Sequence, residues 1–203
     1  PMVSTKQRLL YLVRHGETQS NARGVLQGAL DSPLTRRGRQ QALDVAAALR
    51  ARNVLPALML ASPQGRAQTT LEIIREALPA LKGVPAHIEP CLAEMNYGTC
   101  QGVPLASLPF DPWMPKDGAA RFGGETGREV QRRALGGLLG VMDKAPGSVL
   151  AVSHGTVMSH LLEALEPGGE APLTIENGCI LVLSYNQTAR SLALIESIAV
   201  PRR

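Results

Sequence analysis

Apolar residues follow two rhythms along this chain. Short unbroken apolar runs, as at 9–13 and 57–61, alternate with longer segments whose apolar positions recur every three or four residues. An unbroken run of this length predicts a strand buried on both faces, and the three-to-four spacing predicts a helix with one buried stripe. Strands are therefore expected at 9–13, 57–61 and 148–153, and 86–91 can form another. A closing pair is expected at 180–185 and 192–198, joined by a turn around 186–190. Helices are expected at 36–52, 65–78, 126–144 and 156–165. Thr35 can cap the first helix, which carries Ala42, Val45, Ala46 and Leu49 on one face. The second has Leu71, Ile74, Ala77 and Leu78 as its stripe.

The segment 98–124 breaks the rhythm. It is rich in glycine and proline and holds both phenylalanines, Phe110 and Phe122, and the only tryptophan, Trp113. These three aromatics read either as a small local core or as a substrate-facing lid. Taken in order, the elements predict an α/β three-layer sandwich: a mostly parallel central sheet, helices on both faces and an antiparallel edge from the last pair. No repeat, low-complexity tract or interdomain linker interrupts it. One domain over 1–203 is expected, with a lid-like excursion at about 98–124.

Composition narrows the function. With 44% hydrophobic and 19% charged residues the chain is not a disordered one. Its apolar runs fall far short of the roughly 18 residues of a membrane span, and no basic segment leads into an apolar run with a cleavage site. The three cysteines, Cys91, Cys100 and Cys179, are odd in number and lack CxxC spacing, which predicts reduced thiols and a cytoplasmic location. The formal charge of +4 suits an anionic partner without naming one. Aromatics make up only 3% and no dense basic tract is interleaved with them, so nucleic acid is not expected. The four histidines are mostly scattered, which argues against a metal site.

In open α/β sheets ligands sit beyond the carboxyl ends of the strands. The residues just after the expected strands are Arg14, His15 and Gly16; Ser62, Pro63 and then Arg66; Glu94; and His154 with Gly155. Two imidazoles, two guanidiniums and one carboxyl group thus converge on one edge. Arginine grips phosphate as a planar fork, and phosphoryl transfer depends on positioning and on neutralising the transferred oxygens. A neutral imidazole can act as nucleophile near pH 7, and a carboxyl group can protonate a departing alcohol and later deprotonate water. Other phosphatase chemistries fit less well. The residues six positions after Cys91, Cys100 and Cys179 are Tyr97, Ala106 and Tyr185, where a cysteine phosphatase would have arginine. No Asp-x-Asp, Gly-Lys or GxGxxG occurs.

The run Leu12-Val13-Arg14-His15-Gly16-Glu17-Thr18 with Asn21 resembles the signature of the histidine phosphatase (phosphoglycerate mutase-like) superfamily, phosphatase branch. Further blocks follow in order: Pro33-Leu34-Thr35 with Gly38 and Gln41-Ala42; Ser62-Pro63 with Arg66-Ala67 and Thr70; Glu94 with Gly98 and Gly102; Gly123-Gly124-Glu125-Thr126 with Val130 and Arg133; Val152-Ser153-His154-Gly155; and Asn177. The resemblance implies His15 as the nucleophile that becomes phosphohistidine and Glu94 as the proton donor. Arg14, Arg66 and His154 would grip the phosphoryl group, with Asn21 and Gly155 at the phosphate or substrate. Glu17 and Glu125 are the other acids that could be considered. His87 and His160 read as structural or exposed, and Asn177 could simply hold a turn. Cys100 and Gln101 stand where the family commonly has Trp and Glu, and Thr69 where Gln is common; the first pair is expected beside the substrate mouth.

The resemblance implies a phosphomonoesterase acting on a small phosphorylated metabolite without metal or organic cofactor, with no nucleic-acid or membrane partner and with a homodimer left open. A phosphoglycerate mutase is the alternative within the family, and a non-catalytic phosphoester-binding module the alternative outside enzymes. Mutase relatives carry a longer insertion after the acid and a longer tail, whereas Glu94 and His154 here lie 60 positions apart (154 − 94). That spacing favours hydrolysis.

Overall fold

The computed structural model describes residues 7–113, 117–167 and 175–201. Its centre is a six-stranded sheet in the order β3-β2-β4-β1-β5-β6. The strands are β1 (Arg8–Arg14), β2 (Leu58–Ala61), β3 (Ala86–Ile88), β4 (Val149–Ser153), β5 (Ile180–Asn186) and β6 (Ser191–Ile198). β1, β2, β3 and β4 run parallel to their neighbours in that group, β5 is antiparallel to β1, and β6 is antiparallel to β5. The mostly parallel sheet and its antiparallel edge are as the alternating order of elements predicts.

Alternation along the buried strands divides the core. Leu10, Leu12, Val149 and Ala151 face one side and pack with Leu138 and Met142 of α4 (Gly127–Lys144) and Met158 and Leu161 of α5 (Gly155–Leu165). Val13, Leu150 and Val152 face the other, against Val45 and Leu49 of α2 (Arg36–Ala51) and Leu71 and Ile74 of α3 (Gly65–Ala77). Each such leucine or isoleucine removed from water stabilises the fold by about 1.5–3 kcal/mol. Thr35 caps α2 by accepting from the Gly38 amide at 3.0 Å, an arrangement worth about 1 kcal/mol.

Three local details differ from the sequence reading. β3 stops at Ile88, because Pro90 cannot supply a ladder N–H and opens a 3-10 turn over Pro90–Leu92. A short helix, α1 (Gln19–Ala22), follows β1; Thr18 and Asn21 cap it reciprocally. The segment 98–124 contains 3-10 turns at Gly98–Cys100, Leu105–Ser107 and Gly118–Phe122, which pack on Met95, Tyr97, Val130, Ala134 and Val157 as a third, smaller core.

Candidate active site

Strand register builds the site. Arg14 of β1 pairs with Ser153 of β4, and Ala61 of β2 pairs with Val152 of β4. His15, Ser62 and His154, the next residues on three adjacent parallel strands, therefore emerge side by side. The His15 amide donates to the Ser153 carbonyl at 3.0 Å and the Ser62 amide to the Val152 carbonyl at 3.0 Å, which extends the ladder to these turns. Gly16 then crosses Gly38 so closely that a Cβ there would lie 2.2 Å from the Gly38 carbonyl oxygen.

His15 is buried and its orientation is set from both sides. Its Nδ1 lies 2.8 Å from the Gly16 carbonyl, to which only a protonated Nδ1 can donate. Its Nε2 accepts from Arg66 Nε at 3.3 Å. Asn177 Nδ2 holds the His15 carbonyl at 2.9 Å. Burial first, then the Arg66 and Arg14 charges, keep His15 well below the usual imidazole range. The outcome is a neutral ring whose Nε2 carries a lone pair.

The two arginines are anchored by carbonyl groups. Arg66 Nη1 donates to Leu30 O at 2.8 Å and Asp31 Oδ1 at 3.1 Å, and Nη2 to Gly28 O at 2.9 Å. Of the five guanidinium hydrogens this leaves one on Nη2 free, and the Nε hydrogen, now donated to His15, to be passed to a ligand. Arg14 Nη1 donates to Ile175 O at 2.6 Å, while its buried Nε makes no hydrogen bond. Burial pulls Arg14 down to about 10, opposed by Glu94, so it remains a cation at neutral pH.

His154 is fully buried, its ring centroid 5.1 Å from that of His15. Its Nε2 contacts Ser62 Oγ at 2.6 Å and its Nδ1 has no hydrogen-bond partner. Burial, then Arg66, His15, Arg14 and Arg133, drive it well below the usual range. Glu94 is raised by burial, against the opposing pull of Arg66, the Met95 amide and Arg14. Arg133 of α4 pins the loop before it, donating to the Cys91 and Ala93 carbonyls at 3.0 and 2.8 Å and pairing with Glu125 at 2.7 Å.

Arg14, His15, Asn21, Arg66, Glu94 and Gly155 share one small cavity with about 50 Å³ open to water. Asn21 Oδ1 accepts from the Thr18 amide at 3.1 Å, which leaves its NH2 available. Gly155 begins α5, whose free amides and dipole favour an anion there. A Cβ on Gly155 would lie 3.2 Å from Arg14 Nε and 3.1 Å from Trp113 Cζ3, so its lack of side chain admits both groups.

Of the three aromatics read as lid candidates, Trp113 lines the cavity, its ring 5.0 Å from the Arg14 guanidinium carbon. Phe110 and Phe122 pack instead in the third core, Phe110 stacked on Tyr97 with centroids 6.3 Å apart. The Tyr97 and Thr156 hydroxyls, 2.6 Å apart, both lie 3.3 Å from the Pro112 carbonyl and fasten the chain next to Trp113. Cys100 is buried in the third core, and Gln101 acts at one remove: its Oε1 accepts from the Ala29 amide at 2.7 Å, beside cavity residue Gly28. Glu17 is occupied by Thr35 and Arg37, and Glu125 by Arg133 and the Asn96 amide. The sequence reading attached no role to Gln64, Tyr97, Thr156 or Arg133. Gln64 and Thr156, each three residues past the end of its strand (β2 and β4), stood where strand-end reasoning could have looked.

Comparison with known proteins identifies the family. The probable phosphoglycerate mutase GpmB of Cronobacter sakazakii is 35% identical over 191 residues, covering 88% of this chain and 86% of that protein. Among solved structures, Bacillus stearothermophilus YhfR aligns with a TM-score of 0.79 at 29% identity, over 92% of this chain and 95% of that one. A mycobacterial glucosyl-3-phosphoglycerate phosphatase, solved with VO3, aligns with a TM-score of 0.74 at 26% identity, over 93% and 97% of the two chains. The family model described as histidine phosphatase superfamily (branch 1) matches residues 10–197, from within β1 to within β6, and the chain belongs to that superfamily.

Proposed function

We propose that this protein is a phosphomonoesterase that hydrolyses a small phosphorylated metabolite through a phosphohistidine on His15. The observation that carries this reading is the His15 Nε2 lone pair, held 3.3 Å from Arg66 Nε with the ring's other nitrogen engaged by the Gly16 carbonyl. A phosphoryl oxygen entering the cavity would take the Arg66 Nε–H in place of His15 and receive Arg14 Nε as well. His15 Nε2 would then attack phosphorus as the bond to the ester oxygen breaks. Glu94, kept protonated to higher pH than an ordinary glutamate, would give its proton to the departing oxygen. In the second step water attacks phosphorus, Glu94 takes the water proton, and His15 leaves as neutral imidazole with inorganic phosphate released.

The cavity also bears on substrate class. Among the described residues its cations are Arg14 and Arg66, both at the phosphoryl end; apart from Glu94 the rest of the wall is apolar or uncharged, including Leu26, Leu105, Trp113, Tyr97 and Thr156. This favours a monoester of a neutral, partly apolar alcohol. A phosphoglycerate carries a carboxylate besides its phosphate, and no third described cation lines the wall to receive it. The mutase name borne by the Cronobacter relative keeps isomerisation as the reading to test against. A panel of phosphorylated metabolites scored for phosphate release and for isomerised product decides: release without isomerisation is expected, and isomerisation of phosphoglycerate without net release contradicts it.

A further inference from the structure

His154 is backed by a line of hydrogen bonds that no step above uses. His154 Nε2 contacts Ser62 Oγ at 2.6 Å, Ser62 Oγ contacts Gln64 Oε1, and Gln64 Oε1 lies 3.3 Å from the Glu94 amide nitrogen. The direction of every proton in this line can be worked out. A backbone N–H only donates, so Gln64 must present its carbonyl oxygen to Glu94. The same oxygen faces Ser62, so the Ser62 hydroxyl donates its single hydrogen to Gln64. The Gln64 backbone N–H also donates to Ser62 Oγ, at 3.4 Å. Ser62 can then only accept from His154, and Nε2 must carry the proton.

We propose that Gln64, acting through Ser62, holds the proton of neutral His154 on Nε2, so that Nδ1 becomes a donor to a phosphoryl oxygen only by taking up a further proton as the phosphate binds. This rests on His154 as a phosphoryl ligand. The groups acting on the ring are Arg14 and His15 from the end of β1, Arg66 from α3 and Arg133 from α4, and together with burial they disfavour a charged ring in the free protein. An incoming phosphate dianion reverses that balance. Nδ1 is fully buried and makes no hydrogen bond within the protein. Had Ser62 donated to Nε2 instead, neutral His154 would carry its proton on Nδ1 and bind phosphate with no uptake. The direction of one hydroxyl therefore sets whether binding is linked to a proton. Gln64 is a positioning residue: it meets no reacting atom.

Long-range ¹H–¹⁵N NMR of histidine-labelled free protein at neutral pH reads the tautomer directly, without turnover. The wild type is expected to show His154 neutral with Nε2 protonated, and a neutral Nδ1-protonated ring overturns the proposal. Gln64→Leu frees Ser62 to donate, so its spectrum is expected to shift toward the Nδ1-protonated form; an unchanged spectrum removes Gln64 from the account. Gln64→Glu keeps an acceptor and should retain the wild-type tautomer, which separates proton direction from any general damage at this turn. Calorimetry of inorganic phosphate binding in buffers of different ionisation enthalpy tests the coupling. The wild type should take up close to one proton more than Gln64→Leu, and equal uptake overturns it. Failure of phosphate to bind at all would count against the phosphatase reading and the coupling together, while the NMR result would still decide what Gln64 does.

Discussion

Arg66 Nε stands 3.3 Å from His15 Nε2, and the two residues define each other's state. An arginine N–H can only donate, so the imidazole nitrogen facing it is unprotonated. Burial, and then the Arg66 charge, keep the ring neutral where a free histidine would be partly charged. The contact, with the Gly16 carbonyl on the other nitrogen and burial of the ring, thus selects the tautomer and the protonation state that a nitrogen nucleophile requires.

The first expectation tests the fork of Arg66. Arg66→Lys keeps the charge but loses the planar donors that hold the Gly28 and Leu30 carbonyls and, in the proposed reaction, a phosphoryl oxygen. A loss of about 2–4 kcal/mol in transition-state stabilisation is expected, roughly a 30- to 1,000-fold fall in kcat/KM. Steady-state kinetics with a phosphomonoester measure it, and near-wild-type values would place Arg66 outside the reaction.

Much of this site was legible because strand ends are legible. An unbroken apolar run stops where charge begins, so Arg14, His15 and His154 announce themselves. What was not legible depends on distant partners. Gln64 acquires meaning from Glu94, 30 positions away, and Tyr97 from Thr156, 59 positions away; neither link leaves a local pattern. α1 has no buried residue and so no apolar rhythm, although Thr18 and Asn21 do carry its cap. β3 was read too long because nothing in the alternation of 86–91 marks Ile88 as the last ladder residue; the break comes from Pro90, which opens a 3-10 turn. The aromatics of 98–124 could not be divided by composition. Only the fold shows Trp113 over Arg14 while Phe110 and Phe122 pack beneath.

Trp113 supplies the second expectation. It is 45% exposed, yet its ring covers Arg14 at the cavity wall, where the proposed reading has it contact the alcohol part of the ester. Trp113→Ala should raise KM for phenyl phosphate about 2- to 12-fold, in line with the roughly 0.5–1.5 kcal/mol of an aromatic pair. The inhibition constant for inorganic phosphate should change less. Equal changes in both would mean that Trp113 acts through Arg14 alone.

Glu94 supplies the third. An alkoxide leaves poorly unless protonated, whereas p-nitrophenolate leaves unaided. Glu94→Gln should therefore lose about 10²–10⁴-fold on an alkyl phosphate in the phosphorylation step and far less on p-nitrophenyl phosphate. The pH profile follows from the signs. Glu94 is raised, so the acid form is lost, and the alkyl reaction slows, as pH climbs through that raised value. His15 is lowered, so the rate rises with pH through a value below the ordinary imidazole range. The falling limb should vanish in Glu94→Gln and the rising limb should remain. Equal burst losses on both substrates would assign Glu94 a positioning role.

The central claim is a covalent phosphoryl group on His15. Rapid acid-free quench of enzyme mixed with a ³²P-labelled phosphomonoester measures it most directly. The wild type should trap acid-labile, base-stable label on His15, and His15→Ala should trap none and lose turnover. Label persisting in His15→Ala, or full turnover by that variant, would contradict the account.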